Sequence, residues 1–323
     1  MKKVLFASTA LVAFAGAAAA DVAVTGSAEL GLVDDGSATE NTGFFSSVDV
    51  RFSMTGETDG GLAFGATIDL DDALEAGGGA DTTTAGTVAD ADGGQGIGDN
   101  TDNDSIDYTI FVSGAFGTLT FGDTDGAMDW ALTEGGNVGN PGSISDAETG
   151  HAGYAGSYLD GAGGDSMIAR YNQSFGDYAF AVSVEQGADA AGVADGENGY
   201  AVGFKGAVAG VSFGIAHQEA VSDASLTGVS LGYSVGAVKA GLMFADGENA
   251  AGADDELMQL GLGYSADAVS LHANYGERET AGTKNDGFGF AAKYDLGGGA
   301  SVHFGYGDDD ATTAYSLGLA MSF

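Results

Sequence analysis

From Asp21 to the end of the chain, apolar residues alternate with polar or small ones in segments of roughly 8 to 12 residues. That is the pattern of strands whose two faces meet different surroundings. The last segment places Tyr315, Leu317, Leu319, Met321 and Phe323 on one face, and Ala314, Ser316, Gly318, Ala320 and Ser322 on the other. From Phe44 to Thr55 the apolar Val48, Val50, Phe52 and Met54 alternate with Ser47, Asp49, Arg51 and Ser53. The following strand sets Leu62, Phe64, Ile68 and Leu70 against Thr67, Asp69 and Asp71. A soluble β-sandwich would show the same alternation, so periodicity alone does not choose between architectures.

The connections choose. Short turns fall at Gly56 to Gly60, Ala115 to Gly117, Phe175 to Asp177, Ala207 to Gly210, Val235 to Gly236, Ala266 to Ala268 and Leu296 to Gly299. Between them lie longer acidic, glycine-rich segments, such as Asp34 to Gly43, Asp72 to Asp104, Asp123 to Ser166, Gly187 to Asn198, Gly247 to Asp254 and Arg278 to Asn285. The breaks delimit sixteen strands with both termini at the short-turn end. Short turns at one end and long loops at the other is the anatomy of a transmembrane β-barrel. Aromatics support this: Tyr178, Tyr233, Tyr264, Tyr294 and Phe323 stand beside short turns, and Phe44, Tyr200, Phe244, Tyr275, Phe288, Tyr306 and Tyr315 beside long loops. All share the apolar, outward parity, as two interfacial girdles would. The inward glycines Gly203, Gly232, Gly261, Gly263 and Gly289 are expected to leave the lumen open, as sixteen strands allow.

Composition removes several function classes. Nine Lys and Arg stand against 47 Asp and Glu, a formal net charge of −38. Nucleic acid is excluded as a partner, since phosphate would repel such a chain. Hydrophobic residues at 44% make it too apolar for a disordered acidic polymer. With no cysteine there are no disulfides, thiolate metal sites or cysteine nucleophiles. Lys2 and Lys3, the apolar run from Val4 to Phe14 and the alanines ending at Ala20 read as a secretory signal over residues 1–20. The barrel domain is then expected over 21–323.

Several stretches also resemble a known family. They are Arg51-Phe-Ser-Met-Thr-Gly-Glu-Thr-Asp-Gly-Gly-Leu-Ala-Phe-Gly65, Phe111-Val-Ser-Gly-Ala-Phe-Gly-Thr-Leu-Thr-Phe-Gly-Asp123, Tyr294-Asp-Leu-Gly-Gly-Gly-Ala300 and the terminal Phe323. They are similar to general diffusion porins of Gram-negative bacteria, particularly the alphaproteobacterial ones. The resemblance implies a 16-stranded antiparallel transmembrane β-barrel, assembled as a homotrimer in the outer membrane amid lipid and lipopolysaccharide. It also implies a third long loop folded into the lumen, facing a basic cluster on the wall. That loop, Asp123 to Ser166, carries Asp123, Asp125, Asp129, Glu134, Asp146, Glu148, Asp160 and Asp165. Asp125, Asp129 and Glu134 are the constriction acids expected nearest the bend. Arg51 and Arg170 match the family's inward basic positions, in a wall poorer in arginine than usual. Phe323 matches the signal read by the outer-membrane insertion machinery.

Of the bases beyond Asp21, Arg51, Arg170, Lys205, Lys239 and Lys293 share the inward parity, while Arg278 and Lys284 fall in a loop. Exclusion from lipid alone explains Lys239 and Lys293, where a buried cation would cost about 2–4 kcal/mol. Arg51, Arg170 and Lys205 are the expected pore-lining bases. No cofactor is required; the acidic loops have the chemistry to take Ca²⁺ or Mg²⁺, without EF-hand spacing. Gly228-Val229-Ser230-Leu231-Gly232 matches a nucleophile elbow, but Ser230 sits inside a strand and His217 has the opposite parity. His151, His217, His272 and His303 have no paired metal spacing. No enzyme activity is expected. The leading function is a water-filled pore for ions and small hydrophilic solutes, mildly cation-selective. The alternative is a secreted calcium-binding β-roll or adhesin, motivated by Gly/Asp-rich stretches such as Asp90 to Asp99.

Overall fold

The computed structural model describes residues 21–34, 36, 42–70, 107–154, 167–186, 198–220, 224–309 and 312–323. Alternation over these residues produces strands β1 (Asp21–Asp34), β2 (Gly43–Glu57), β3 (Ala63–Asp69), β4 (Asp107–Gly114), β5 (Gly117–Gly122), β6 (Ile168–Phe175), β7 (Tyr178–Gln186) and β8 (Asn198–Val208). They continue as β9 (Val211–Glu219), β10 (Ser225–Val235), β11 (Val238–Glu248), β12 (Asp254–Ala266), β13 (Val269–Thr280), β14 (Thr283–Gly297), β15 (Ala300–Asp309) and β16 (Thr313–Ser322). Each pairs antiparallel with its sequence neighbours, and β1 closes on β16 with Ser27 opposite Ser322. Closure leaves no free sheet edge. A closed barrel of consecutive hairpins is not the tandem-turn coil of a β-roll; the stretch Asp90 to Asp99 lies outside the described residues, as do residues 1–20.

The two faces follow the predicted parity. In β12, Glu256, Leu260, Leu262 and Tyr264 point outward and are exposed, while Leu257, Gln259, Gly261 and Gly263 are buried inside. The outer surface carries aromatics at both ends, among them Tyr178, Tyr233, Tyr264 and Tyr294 near the short turns and Phe44, Tyr200, Phe244 and Phe288 near the other end.

One connection differs from expectation. The segment Arg278 to Asn285 is no long loop: β13 and β14 pair up to Thr280 opposite Thr283, joined by Ala281 and Gly282 with φ of 53° and 77°. Positive φ at both central residues is the tight hairpin geometry whose twist matches the strands. Arg278 and Lys284 therefore belong to strands, bound to Asp255 at 2.5 Å and Glu277 at 2.5 Å.

Among the described residues, the largest departure from a hollow cylinder is the connection between β5 and β6. It turns inward, forms the helix α1 (Ala127–Ala131) and two single 3₁₀ turns, and runs along the inner wall. α1 packs on β7, β8 and β9; the turn at 135–137 packs on β10 to β13; that at 144–146 packs on β15, β16 and β1. The apolar core lies here, between loop and wall: Met128, Ala131 and Leu132 are buried against Ala201, Ala216, Leu226, Met243 and Leu257. Burying side chains such as Met128 and Ile144 stabilises the docked loop by about 1.5–3 kcal/mol each.

Candidate functional site

Two features of the wall dock the loop. The first is a track of glycines. A Cβ on Gly203 would collide with the Ala127 carbonyl, on Gly214 with that of Ala131, on Gly261 with that of Gly135 and on Gly289 with that of Glu148. Gly31 and Gly318 form the notch that seats Ile144, whose side chain is fully buried. Gly203, Gly261, Gly263 and Gly289 thus do not leave the lumen open as expected. They let the loop backbone lie directly on the sheet, where only hydrogen fits. Gly232 is the exception, facing the Ser212 side chain.

The second is a set of inward polar side chains that satisfy the loop's backbone, since a buried chain must pair its N–H and C=O groups. Ser183 Oγ accepts from Ala127 N at 2.8 Å, and Ser230 Oγ from Thr133 N at 3.0 Å. His272 Nε2 donates to Gly136 O at 2.8 Å, His303 Nδ1 to Gly142 O at 2.8 Å, and Asn274 Nδ2 to Glu148 O at 3.0 Å. Asp309 accepts from Ala152 N at 2.9 Å. Sequence reading missed these residues; their signal is bulky polar groups among small inward ones. Ser230 is a loop anchor rather than a nucleophile, and His217 is on the outer face, bound to Thr227 at 2.8 Å.

The predicted charged residues divide into two groups. Arg170 on β6 and Lys205 on β8 stand where the loop leaves the wall. Arg170 Nη1 donates to the Asp125 carbonyl at 2.5 Å and lies 3.6 Å from its carboxylate, with 11% of its side chain exposed. Lys205 Nζ donates to the Trp130 carbonyl at 2.5 Å, and Asp129 is on the same helix. Glu134 lies further along, accepting from the Tyr154 hydroxyl at 3.0 Å. Burial and the adjacent Glu134 push that hydroxyl's pKa up, so it stays a donor. Arg51 is apart from these, on β2, ion-paired with Asp69 of β3 and 58% exposed. It lines a recess with Thr25, Ser27 and Asp49.

At the far end of the loop Glu148 is fully buried, accepting from Asn140 at 2.8 Å and from Ser143. Burial, and then Glu148, raise the Asp146 carboxyl above its ordinary pKa. Burial lowers the pKa of His151, whose Nε2 meets Asn274 Oδ1 at 2.8 Å. Asp160 and Asp165 lie outside the described residues. Among the described residues no three His, Asp or Glu side chains are arranged to hold a metal ion. Most of Asp72 to Asp104 and Gly187 to Asn198, acidic loops with the chemistry for Ca²⁺ or Mg²⁺, also lie outside them.

A closed sixteen-stranded barrel with a charged loop laid along its interior matches known proteins in both sequence and fold. Residues 7–314 match the family model described as Gram-negative porin. The chain belongs to the Gram-negative porin family. A porin structure refined at 1.8 Å resolution superposes with a TM-score of 0.71 at 21% identity, covering 94% of this chain and 100% of that one. A triple mutant of the Rhodopseudomonas blastica porin gives 0.65 at 20% identity with the same coverage. No curated protein matches by sequence. The porin is accordingly an outer-membrane channel protein of Gram-negative bacteria, from a family of non-enzymatic channels that generally need no cofactor.

Proposed function

We propose that this porin is a passive, mildly cation-selective pore for ions and small hydrophilic solutes, narrowed by its third loop. The observation that carries the reading is the docked loop, which lines the inner wall from β7 round to β1 and leaves uncovered the β2 wall, where Arg51 is exposed. Selectivity rests on local balance. Arg51 is matched by Asp69, and Arg170 and Lys205 are engaged by the loop, while Asp125, Asp129, Glu134 and Asp49 add carboxylates along the path. Carboxylates lining a pore favour cations. In this reading Arg51, Arg170 and Lys205 face Asp125, Asp129 and Glu134 at the constriction. The barrel acts as a homotrimer among outer-membrane lipid and lipopolysaccharide, after loss of residues 1–20 and insertion guided by Phe323.

Planar-bilayer recording of the wild type beside a variant with Thr133 to Tyr154 replaced by a short Gly-Ser linker tests it. Larger conductance and a larger sugar passing in liposome swelling are expected. Equal conductance and equal size limit in the two proteins would reject the constriction.

A further inference from the structure

We propose that Lys205 is a positioning residue that fastens α1 to the barrel wall and thereby sets where Trp130 and Asp129 stand in the pore. The inference builds on the constriction reading and changes what Lys205 does within it. Two contacts from one ammonium converge on one residue: Nζ donates to the Trp130 carbonyl at 2.5 Å and lies 3.7 Å from the centroid of the Trp130 ring. A lysine acting only as a lumen charge would extend into water; this one is half-buried between helix and strand.

The helix needs such a fastening. It has only five residues and no basic residue in its last turn. The final carbonyls of any helix have no partner within it, and a cation there is favourable. Leu132 N–H returns to the Met128 carbonyl, which leaves Trp130 O for Lys205. The rest of the helix contact is the bond from Ala127 N–H to Ser183 at its first residue and an apolar, glycine-backed face, Met128 and Ala131 over Gly203, Gly214 and Gly228. The apolar face fixes the height above the sheet without fixing position along it, because dispersion and burial are non-directional, and the Ser183 bond holds only the first residue. Lys205, directed at both the backbone and the indole of Trp130, supplies the direction at the end of the helix that carries Asp129 and Trp130. Arg170 does the same just ahead of the helix, at the Asp125 carbonyl.

A cation–π contact at a partly exposed site favours the docked arrangement by roughly two- to fivefold. Trp130 is the chain's single tryptophan, so its fluorescence reports this contact alone. The experiment compares the full-length wild type with Lys205→Met, Lys205→Arg and Lys205→Gln, refolded in detergent, by acrylamide quenching and anisotropy, and in planar bilayers by open-channel noise and reversal potential. Lys205→Met should raise the quenching constant about twofold, in line with the lost contact, lower the anisotropy and add rapid current fluctuations. Lys205→Arg, which can donate to the same carbonyl and stack on the indole, should restore all three. If Lys205→Met does not assemble, Lys205→Gln serves in its place with the same expectation. Unchanged quenching and anisotropy together with a shifted reversal potential would make Lys205 a plain lumen charge and overturn the proposal while leaving the constriction intact. A wild type that forms no channel would remove the pore reading, and the fluorescence comparison would still decide the role of Lys205.

Discussion

Gly153 of the third loop and Gly276 of β13 meet backbone to backbone, such that a Cβ added to either would collide with the carbonyl oxygen of the other. The loop is therefore fitted to this wall at atomic contact, and neither partner can gain a methyl group without one of them moving. The loop must yield, because β13 is held by full ladders to β12 and β14.

Gly276→Ala should lift the return limb of the loop while the barrel stays closed. Overpacking of this kind costs about 1–3 kcal/mol. Faster proteolysis within residues 143–154, and conductance above wild type, are the expected readings. A variant with wild-type proteolysis and conductance would mean that the limb accommodates the methyl group in place.

Arg51→Ala should increase preference for K⁺ over Cl⁻. It leaves the Asp69 carboxylate without its cation, and that charge acts on ions passing within roughly 8 Å, the screening length at physiological ionic strength. Arg170→Ala should move selectivity the same way and add current noise, since it also unfastens Asp125. Zero-current potentials in a KCl gradient measure both. Anion selectivity in the wild type, or no change in either variant, would remove these arginines from the constriction.

The strands were legible because each buries one face against lipid, which imposes period two on the sequence. Alternation fails where neither face meets lipid. Beyond Glu277 both faces of β13 and β14 are polar, so the stretch reads as a loop although ion pairs to Asp255 and Glu277 carry the pairing to Ala281 and Gly282. The glycine track was invisible for another reason. A glycine that leaves space and one that admits a backbone look identical in sequence, and the partners of Gly203, Gly261 and Gly289 come from a segment 60 or more positions away. His272, Asn274 and His303 show the same limit: their parity was readable, their partners on the loop were not.

Deleting Phe323 should impair assembly more than conduction. Its N–H donates to Gly26 O at 2.9 Å where β16 meets β1, and its ring is 80% exposed on the outer face. The seam keeps the remaining β1–β16 pairs, so channels that do form should conduct normally. The fraction of heat-modifiable barrel in the outer membrane is the measurement. Wild-type abundance of the truncated chain would show that the terminal aromatic is dispensable.

Docking of the third loop should respond to pH in two opposing ways that single substitutions separate. His151 is 4% exposed, and burial holds its pKa below the ordinary value despite the nearby Asn274 and Asp309. Released, it would titrate near 6.5. The docked loop then binds fewer protons than the released one, so this contribution is complete above about pH 6.5 and is lost as pH falls toward the docked pKa. Asp146 works in the other direction. Its docked pKa is raised by burial and by Glu148, whereas the released carboxyl would titrate near about 3.9. Its contribution is complete below about 3.9 and is lost as pH rises through the raised value. Asp146→Asn leaves the histidine response, and its open-channel noise should grow as pH falls below about 6.5. His151→Gln leaves the carboxylate response, and its noise should grow as pH rises instead. Recording both variants in bilayers between about pH 3 and 8, a span bracketing both released pKa values, checks the signs. Noise profiles that run in parallel would show that these two groups do not hold the loop.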